Sequence, residues 1–487
     1  MSKSSHVNGN GTNGTNGDLR KRPVNGKSTP ATKSEISKVG READRKLEVH
    51  TTYEFGGPIG VSIMITIFPP IMYYLWICLW FYDGALVHPT GITDILPFLG
   101  RMWDHVRNDA APNTWSVSFY VGLMVFQLLL AFIMPGYQQE GLPVPSLNYK
   151  TLTYNCNALA CWYATLVASV IVHTTGILRL TGIIDNFGPV MTVSIIWGFG
   201  LSLVTYWVSL YQGTSHRMSG NFIYDFFMGA VLNPRIGNVD LKMFQEVRIP
   251  WVLLFYICVG GACKQYEDYG YVSANAAFMV LATGLYINAC AKGEECIPQT
   301  WDMFYEKDGF MLIFWNFAGV PFTYCYPTLY MVRRHPDTYK FPLWGNIALY
   351  STLMIAHYIF DTSMAQKSHF KMQMQGVYQE RMTFPQWPWS TIKNPNFIQT
   401  AHGNKLLTSG WWAFARKPNY SADWIQSLTW GLSAGFGSII PYYYSVFFFV
   451  VLVHRCSRDF ERCAQKYGKD WEEYCRRVPY KFIPGVY

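Results

Sequence analysis

Uncharged, largely apolar runs recur along the chain near residues 60–82, 114–134, 156–177, 188–211, 249–263, 271–291, 309–332, 342–360 and 425–454. Most are long enough to cross about 30 Å of hydrocarbon as a helix, which takes about 20 residues. The last run covers about 30 residues with Gly437 and Pro441 near its middle, so it reads as two shorter helices. The pattern predicts an all-α, polytopic membrane protein with about ten transmembrane helices. The run 249–263 is short enough to be re-entrant, which would leave nine.

Composition agrees with the pattern. Of 487 residues 50% are hydrophobic and 17% aromatic, while only 14% are charged, against about 25% in an ordinary soluble domain. The 11 cysteines are odd in number, form no C-x-x-C pair and lie mostly in apolar segments, so they read as small hydrophobes rather than as disulfides or zinc ligands.

Residues 1–50 differ from the rest: rich in Asn, Gly, Thr and Ser, they hold ten Lys/Arg against five Asp/Glu, or +5 of the chain's +8. Such a stretch buries too little apolar surface to fold alone. It lacks the apolar core of a cleaved signal peptide. It reads as a disordered, basic cytosolic tail, in which the sequons at Asn10 and Asn13 stay unglycosylated, ahead of a membrane domain over 51–487. With ten spans both termini share one side with segments 212–248, 292–308 and 361–424, and their basic character places that side in the cytosol. Arg333, Arg334 and Lys340 then fall on the opposite side, against the positive-inside tendency.

The absence of certain motifs narrows the chemistry. The 11 histidines form no H-x-H, H-x-x-H or H-x-x-x-H pair, so a di-iron centre is not expected and no metal ligands are assigned. Neither G-x-G-x-x-G nor a P-loop occurs. Polar residues concentrate in the last third: Lys367 and Lys371 one turn apart, then Arg416, Lys417, Asn419 and Tyr420, then Arg455, Arg458, Asp459, Arg462, Lys466 and Tyr467. Asp459, Arg462, Cys463 and Lys466 share one helical face. Cations beside aromatic rings suit a phosphorylated dinucleotide; a snorkelling, headgroup-binding edge would show the same pattern.

The stretch from Leu406 through Gly410-Trp-Trp412 and Arg416-Lys-Pro-Asn-Tyr420 to Asp423 is one distinctive motif. The ending His454 to Asp459, Cys463-Ala-Gln-Lys-Tyr467 to Trp471, Pro479-Tyr480 and Pro484-Gly485 is another. Together with Asp225 to Gly229 and Leu232 to Gly237, these resemble the sterol reductase family, which includes the lamin B receptor, over residues 50–487. Tyr53-Glu-Phe-Gly-Gly-Pro-Ile-Gly60 and Lys292 to Asp302 most resemble its fungal branch acting on the 24(24-1) double bond, at the end of ergosterol synthesis. Reductases of the carbon 14 or carbon 7 double bond are the alternatives.

The resemblance implies NADPH as cofactor, held by Lys367, Lys371, Leu407, Trp412, Asn419, Tyr420, Asp459, Cys463, Ala464, Gln465, Lys466, Tyr467 and Tyr474. It implies proton delivery by Asp459 together with Tyr286. Relatives often have Arg at the position of Lys371 and Asp at that of Asn288, which puts the phosphate contact and the proton relay in this branch in doubt. The implied setting is the endoplasmic reticulum membrane, with a sterol entering from the bilayer, membrane lipids and other sterol-synthesis enzymes as partners, and no nucleic acid. An isolated double bond is a poor hydride acceptor, so reduction is expected to begin with protonation of the methylidene carbon. Aromatic faces could stabilise the resulting cation, and exclusion of water would protect it.

Plainer roles compete with these. Asp225 and Arg235 could pair with each other, Glu54 and Glu294 could be interfacial charges, and Asp459 could pair with Arg455 or Arg462 on its own helix. A scaffold or sterol-sensor role is the non-enzymatic alternative. Fifty Asn/Gly-rich residues are too few and too polar for a chromatin-reading module, and a sensor has no use for the basic constellation.

Overall fold

Each apolar run is helical in the computed structural model, which describes residues 38, 40–42, 44, 53–483 and 485. The main helices are α1 (Gly57–Phe81), α2 (Ile95–Asp109), α3 (Thr114–Ile133), α4 (Ala158–Thr174), α5 (Phe187–Tyr211), α6 (Ile249–Tyr269) and α7 (Ala274–Lys292). After short helical pieces between 310 and 332 come α8 (Leu343–Gln375), α9 (Pro418–Ser433), α10 (Tyr443–Tyr467) and α11 (Lys469–Arg477). The sheet content of the described residues is three two-stranded antiparallel pairs. The expected disordered tail lies outside the described residues, except that 38, 40–42 and 44 are helical.

The span count is where sequence and structure part. Among the described residues five helical stretches, Gly57–Phe81, Thr114–Ile133, Phe187–Tyr211, Leu241–Tyr269 and Ala274–Gln299, are long and apolar enough to cross a membrane, not about ten. The run 249–263 is not short, because its helix continues to Tyr269. The run 309–332 is broken at a π-turn over Trp315–Gly319 and again around Pro327. α4 has 17 residues and α9 has 16. α8 and α10 are long enough but carry charges in their second halves. Along α1, Ile59, Ile63 and Ile67 are exposed, as are Val125, Leu129 and Ile133 of α3 and Val204, Trp207 and Val208 of α5. Exposed apolar surface on this scale marks contact with lipid, and the protein is a helical membrane protein.

Ion pairs fix which ends lie together. Arg458 of α10 meets Glu54, just ahead of α1, and Glu306, just ahead of the helical pieces that begin at Phe310. At the far end of α1, Arg333 Nε donates to the Trp80 carbonyl at 3.1 Å and Arg334 donates to the Asp83 carbonyl. Cations at the C-terminal carbonyls of a helix are favoured, which gives Arg333 and Arg334 a local role at this end of α1.

One expected pairing is replaced, and two charges expected at the interface have partners of their own. Asp225 accepts from the Ser219 and Gly220 amides at 2.8 and 3.0 Å, while Arg235 pairs with Asp240 at 3.2 Å. Glu54 is tied to Arg458, and Glu294 is a core residue bound to Arg248 at 2.8 Å. Gly229 explains itself: at φ +91° it passes so close to Asp308 that a Cβ would lie 2.6 Å from the Asp308 carbonyl.

Candidate functional site

Three segments distant in sequence bring ammonium groups around one carboxylate. Lys367 and Lys371 come from the polar half of α8, Lys417 from the loop before α9, and Asp459, Cys463 and Lys466 from α10. Lys417 Nζ lies 2.5 Å from Asp459 Oδ2 and 5.0 Å from the Tyr420 ring centre. Lys367 Nζ sits 4.1 Å from the centre of the Trp412 ring, and Lys371 Nζ donates to the Gln299 carbonyl at 2.8 Å. The tryptophan is placed by a tight turn: Gly410 has φ +65°, and a Cβ there would lie 2.2 Å from Gln366 Oε1. Gln366 accepts from the Trp411 amide at 2.9 Å, Trp412 Nε1 donates to the Ser363 carbonyl at 2.9 Å, and Leu407 packs with Phe370 and Trp412.

Charge is unevenly balanced here. Burial opposes ionisation of Asp459, yet the adjacent Lys417 and Lys367 hold its carboxyl down at about 2. Burial together with Lys417 and Lys371 pulls the Lys367 ammonium down to about 7, and burial takes Lys371 down to about 8 against the attraction of Asp459. Ammonium groups that give up protons this readily are short of counter-charge, and an anion placed among them would restore it. Asn419 is buried with Oδ1 unpartnered among the described residues. Lys466 is 3.0 Å from Asp44, which also meets His402 at 3.3 Å. The Tyr467 hydroxyl accepts from Asn404 at 3.1 Å, and Tyr474 packs with Ile398 and Val478. Ala464 and Gln465 lie on the exposed flank of α10, apart from the cluster.

Among the described residues the arginines of α10 form no ion pair with Asp459. Arg455 pairs with Asp302 at 2.6 Å, Arg458 with Glu54 and Glu306, and Arg462 lies 3.7 Å from the Tyr305 ring centre.

Tyr286 belongs to a second, more deeply buried centre. It is carried by α7, whose start is capped by Ser273 Oγ accepting from the Ala276 amide at 3.2 Å. The ring lies against Trp251 of α6, Phe360 of α8 and Trp430 of α9, with centroid separations of 4.4, 5.5 and 5.8 Å. Its hydroxyl donates to Asp423 Oδ2 at 3.3 Å. The structure thus couples Tyr286 to Asp423, and Asp459 to Lys417. Asp423 stood in the sequence motif without a role; its signal was a carboxyl at the edge of an apolar helix, a position that is expensive unless used. Asn288, two residues beyond Tyr286, points elsewhere: its Nδ2 donates to the Phe384 carbonyl at 2.9 Å. The substitution at that position therefore leaves the Tyr286 contact untouched.

Residues 49–487 match the ergosterol biosynthesis ERG4/ERG24 family. The chain belongs to this sterol reductase family. It is 44% identical over 443 residues to the Delta(24(24(1)))-sterol reductase erg4A of Aspergillus fumigatus, covering 91% of this chain and 93% of that protein. The Delta(24(24(1)))-sterol reductase of Gibberella zeae is 43% identical, covering 91% and 74%. A Delta(14)-sterol reductase of Dictyostelium discoideum is 35% identical, covering 90% and 93%. Members of the sterol reductase family are oxidoreductases, and the lysine cluster and Tyr286 both fall inside the matched residues. One further group of ligand-type atoms in this family member, on Glu295, Cys296 and His369, lies within 4.8 Å of one another. Its carboxylate is already engaged by Tyr137 at 2.5 Å, by Arg381 and by His369 at 3.5 Å.

Proposed function

We propose that the protein reduces the 24(28) double bond, also written 24(24-1), of an ergostane-type sterol with NADPH, in the last step to ergosterol. The Tyr286 hydroxyl, buried among aromatic rings and bound to a carboxyl, is the observation that carries the reading. It offers a proton where water is excluded and where ring faces stabilise a cation. The two fungal relatives named for the 24(24(1)) position support the choice of bond. The Dictyostelium relative favours the second reading, reduction at carbon 14.

The lysine cluster fits a dinucleotide phosphate: Lys367, Lys371 and Lys417 supply cations with one carboxylate between them, Trp412 a ring, and Asn419 an unpartnered polar atom. When bound, NADPH supplies the hydride. Asp459, held ionised by Lys417, orders the ammonium groups rather than giving up a proton. The site of action is the endoplasmic reticulum membrane, with the sterol drawn from the bilayer.

The test is reduction by purified protein of 24(28)-unsaturated, 8,14-diene and 7-unsaturated sterols, with NADPH or NADH, followed by product analysis. The 24(28) sterol with NADPH is expected to give the highest kcat/KM. Preferential reduction of the 8,14-diene would move the assignment to carbon 14, and equal kcat/KM for both nucleotides would remove the cofactor assignment.

The lysines set a pH dependence. Lys367 at about 7 and Lys371 at about 8 are partly deprotonated in the free protein at pH 8, and a bound phosphate raises both. NADPH binding at pH 8 should therefore take up protons, and KM for NADPH should climb as pH rises through this window. Calorimetry in buffers of different ionisation enthalpy reads the uptake directly; no buffer dependence would mean that these ammonium groups do not meet the phosphate. Lys371→Ala should raise KM for NADPH with a smaller effect on kcat, as loss of uniform binding does.

A further inference from the structure

On α9 the face that carries Asp423 also carries Gln426 and Trp430, at i, i+3 and i+7. Their exposures are 8%, 1% and 1%. Each leaves one buried polar atom without a partner among the described residues: Asp423 Oδ1, Gln426 Nε2 and Trp430 Nε1. Bare polar atoms are rare in an interior because water's hydrogen bonds are lost without replacement. Three along one stripe, in the aromatic enclosure around Tyr286, mark a place built for a polar occupant.

We propose that Asp423 is the proton reservoir of Tyr286, which it recharges across their hydrogen bond; this deepens the sterol reductase reading and rests on it. Tyr286 Oη gives its proton to the terminal alkene carbon, whose π pair forms the new C–H bond and leaves a tertiary cation. NADPH, when bound, would supply the hydride that closes that cation. The phenolate left on Tyr286 takes the proton of Asp423, and the Asp423 carboxylate regains one from solvent water before the next turnover. The sum is alkene, NADPH and one proton to alkane and NADP⁺.

The surroundings suit a carboxyl used in this way. The titratable groups facing the pair are Cys290 from α7, Tyr444 from α10 and Tyr324 from the broken segment. Among the described residues, Asp423 has no ion pair with Lys, Arg or His, whereas Asp459 is locked to Lys417. Oδ2 accepts from the phenol and Oδ1 has no partner among the described residues, so one carboxyl has an oxygen for Tyr286 and another for an incoming proton carrier. Asp423 acts through Tyr286 and is a positioning residue, not the group that touches the sterol.

The experiment uses the full-length protein in lipid nanodiscs, with whichever of the three unsaturated sterols the wild type reduces. The wild type thereby reports the substrate and the variants report the relay. Asp423→Asn is expected to slow steady-state turnover by about 10²-fold while the first turnover, which starts with Tyr286 protonated, stays near the wild-type rate, with NADPH affinity and unfolding temperature unchanged. Asp423→Glu, which keeps the acid, should recover part of that loss. The Tyr286→Phe, Asp423→Asn double variant should be within about twofold of the slower single one, since the two changes interrupt one transfer. Infrared difference spectra should show a deuterium-sensitive carboxylic acid band in the wild type and in Tyr286→Phe that is missing from Asp423→Asn. Losses that multiply in the double variant, a single variant as fast as wild type in steady state, no rescue by Glu, or absence of the band would each overturn the relay.

Discussion

Tyr286→Phe lowers the rate of sterol reduction by roughly 10²-fold or more, with KM for NADPH changed by no more than about twofold. The substitution keeps the ring, and with it the packing against Trp251, Phe360 and Trp430 that fills the centre of the bundle. What it removes is one hydroxyl and its 3.3 Å bond to Asp423. None of the ammonium groups that would hold a phosphate touches this hydroxyl, so the loss is expected in kcat alone. Asp459→Asn should behave differently: Lys417 loses its 2.5 Å partner, and NADPH affinity falls together with turnover. Stopped-flow reduction rates and direct NADPH titrations separate the two patterns. Normal turnover by Tyr286→Phe would show that the proton comes from elsewhere.

The largest effect on stability is expected at Glu294. Its Oε1 is 2.8 Å from Arg248, and its Oε2 accepts from the Ala158 amide at 2.6 Å, at the N-terminal end of α4. Arg248 also donates to Asn157 Oδ1 at 2.6 Å, and the two side chains are 5% and 1% exposed. Removing one partner of such a pair leaves an uncompensated charge in the interior, at a cost of about 3–5 kcal/mol. Glu294→Ala should thus unfold far below wild type in detergent, and Glu294→Gln, which keeps an acceptor for the Ala158 amide, should lose less. The double change Arg248→Met, Glu294→Leu should recover most of the loss, because well-packed apolar residues can replace a buried ion pair. An unfolding temperature for Glu294→Ala equal to that of wild type would show that solvent reaches the pair.

Much of the bundle was legible because hydrocarbon imposes its own length on a helix: α1, α3 and α5 begin and end within a few residues of the apolar runs. The limits of such reading are local chemistry and distance. Charge content hid the continuity of α8: the apolar run stops at Phe360, and although Lys367 and Lys371 stand one turn apart, nothing in the apolar signal joins Asp361 to Gln375 to the span before it. Pro321 and Pro327 announced the breaks in the 309–332 run, but a run judged by its lack of charge passes over them. The lysine cluster was half legible: α8 and α10 showed their polar faces, while the capture of Asp459 by Lys417 rather than by a neighbour on its own helix depends on how the loop before α9 folds back. The contact between Tyr286 and Asp423 spans 137 positions, and no local pattern encodes it.

The unbroken α8 has a consequence of scale. Phe360, stacked on Tyr286, and Lys371, at the far side of the lysine cluster, stand on the same rod eleven residues apart, about 16 Å along its axis at 1.5 Å per residue. A helix neither stretches nor shortens appreciably, so the rod works as a gauge. A reagent gripped at Lys371 acts beside Tyr286 only if it is itself that long, and a compact reductant anchored there stops short. Reach, as much as charge, decides what this site can use.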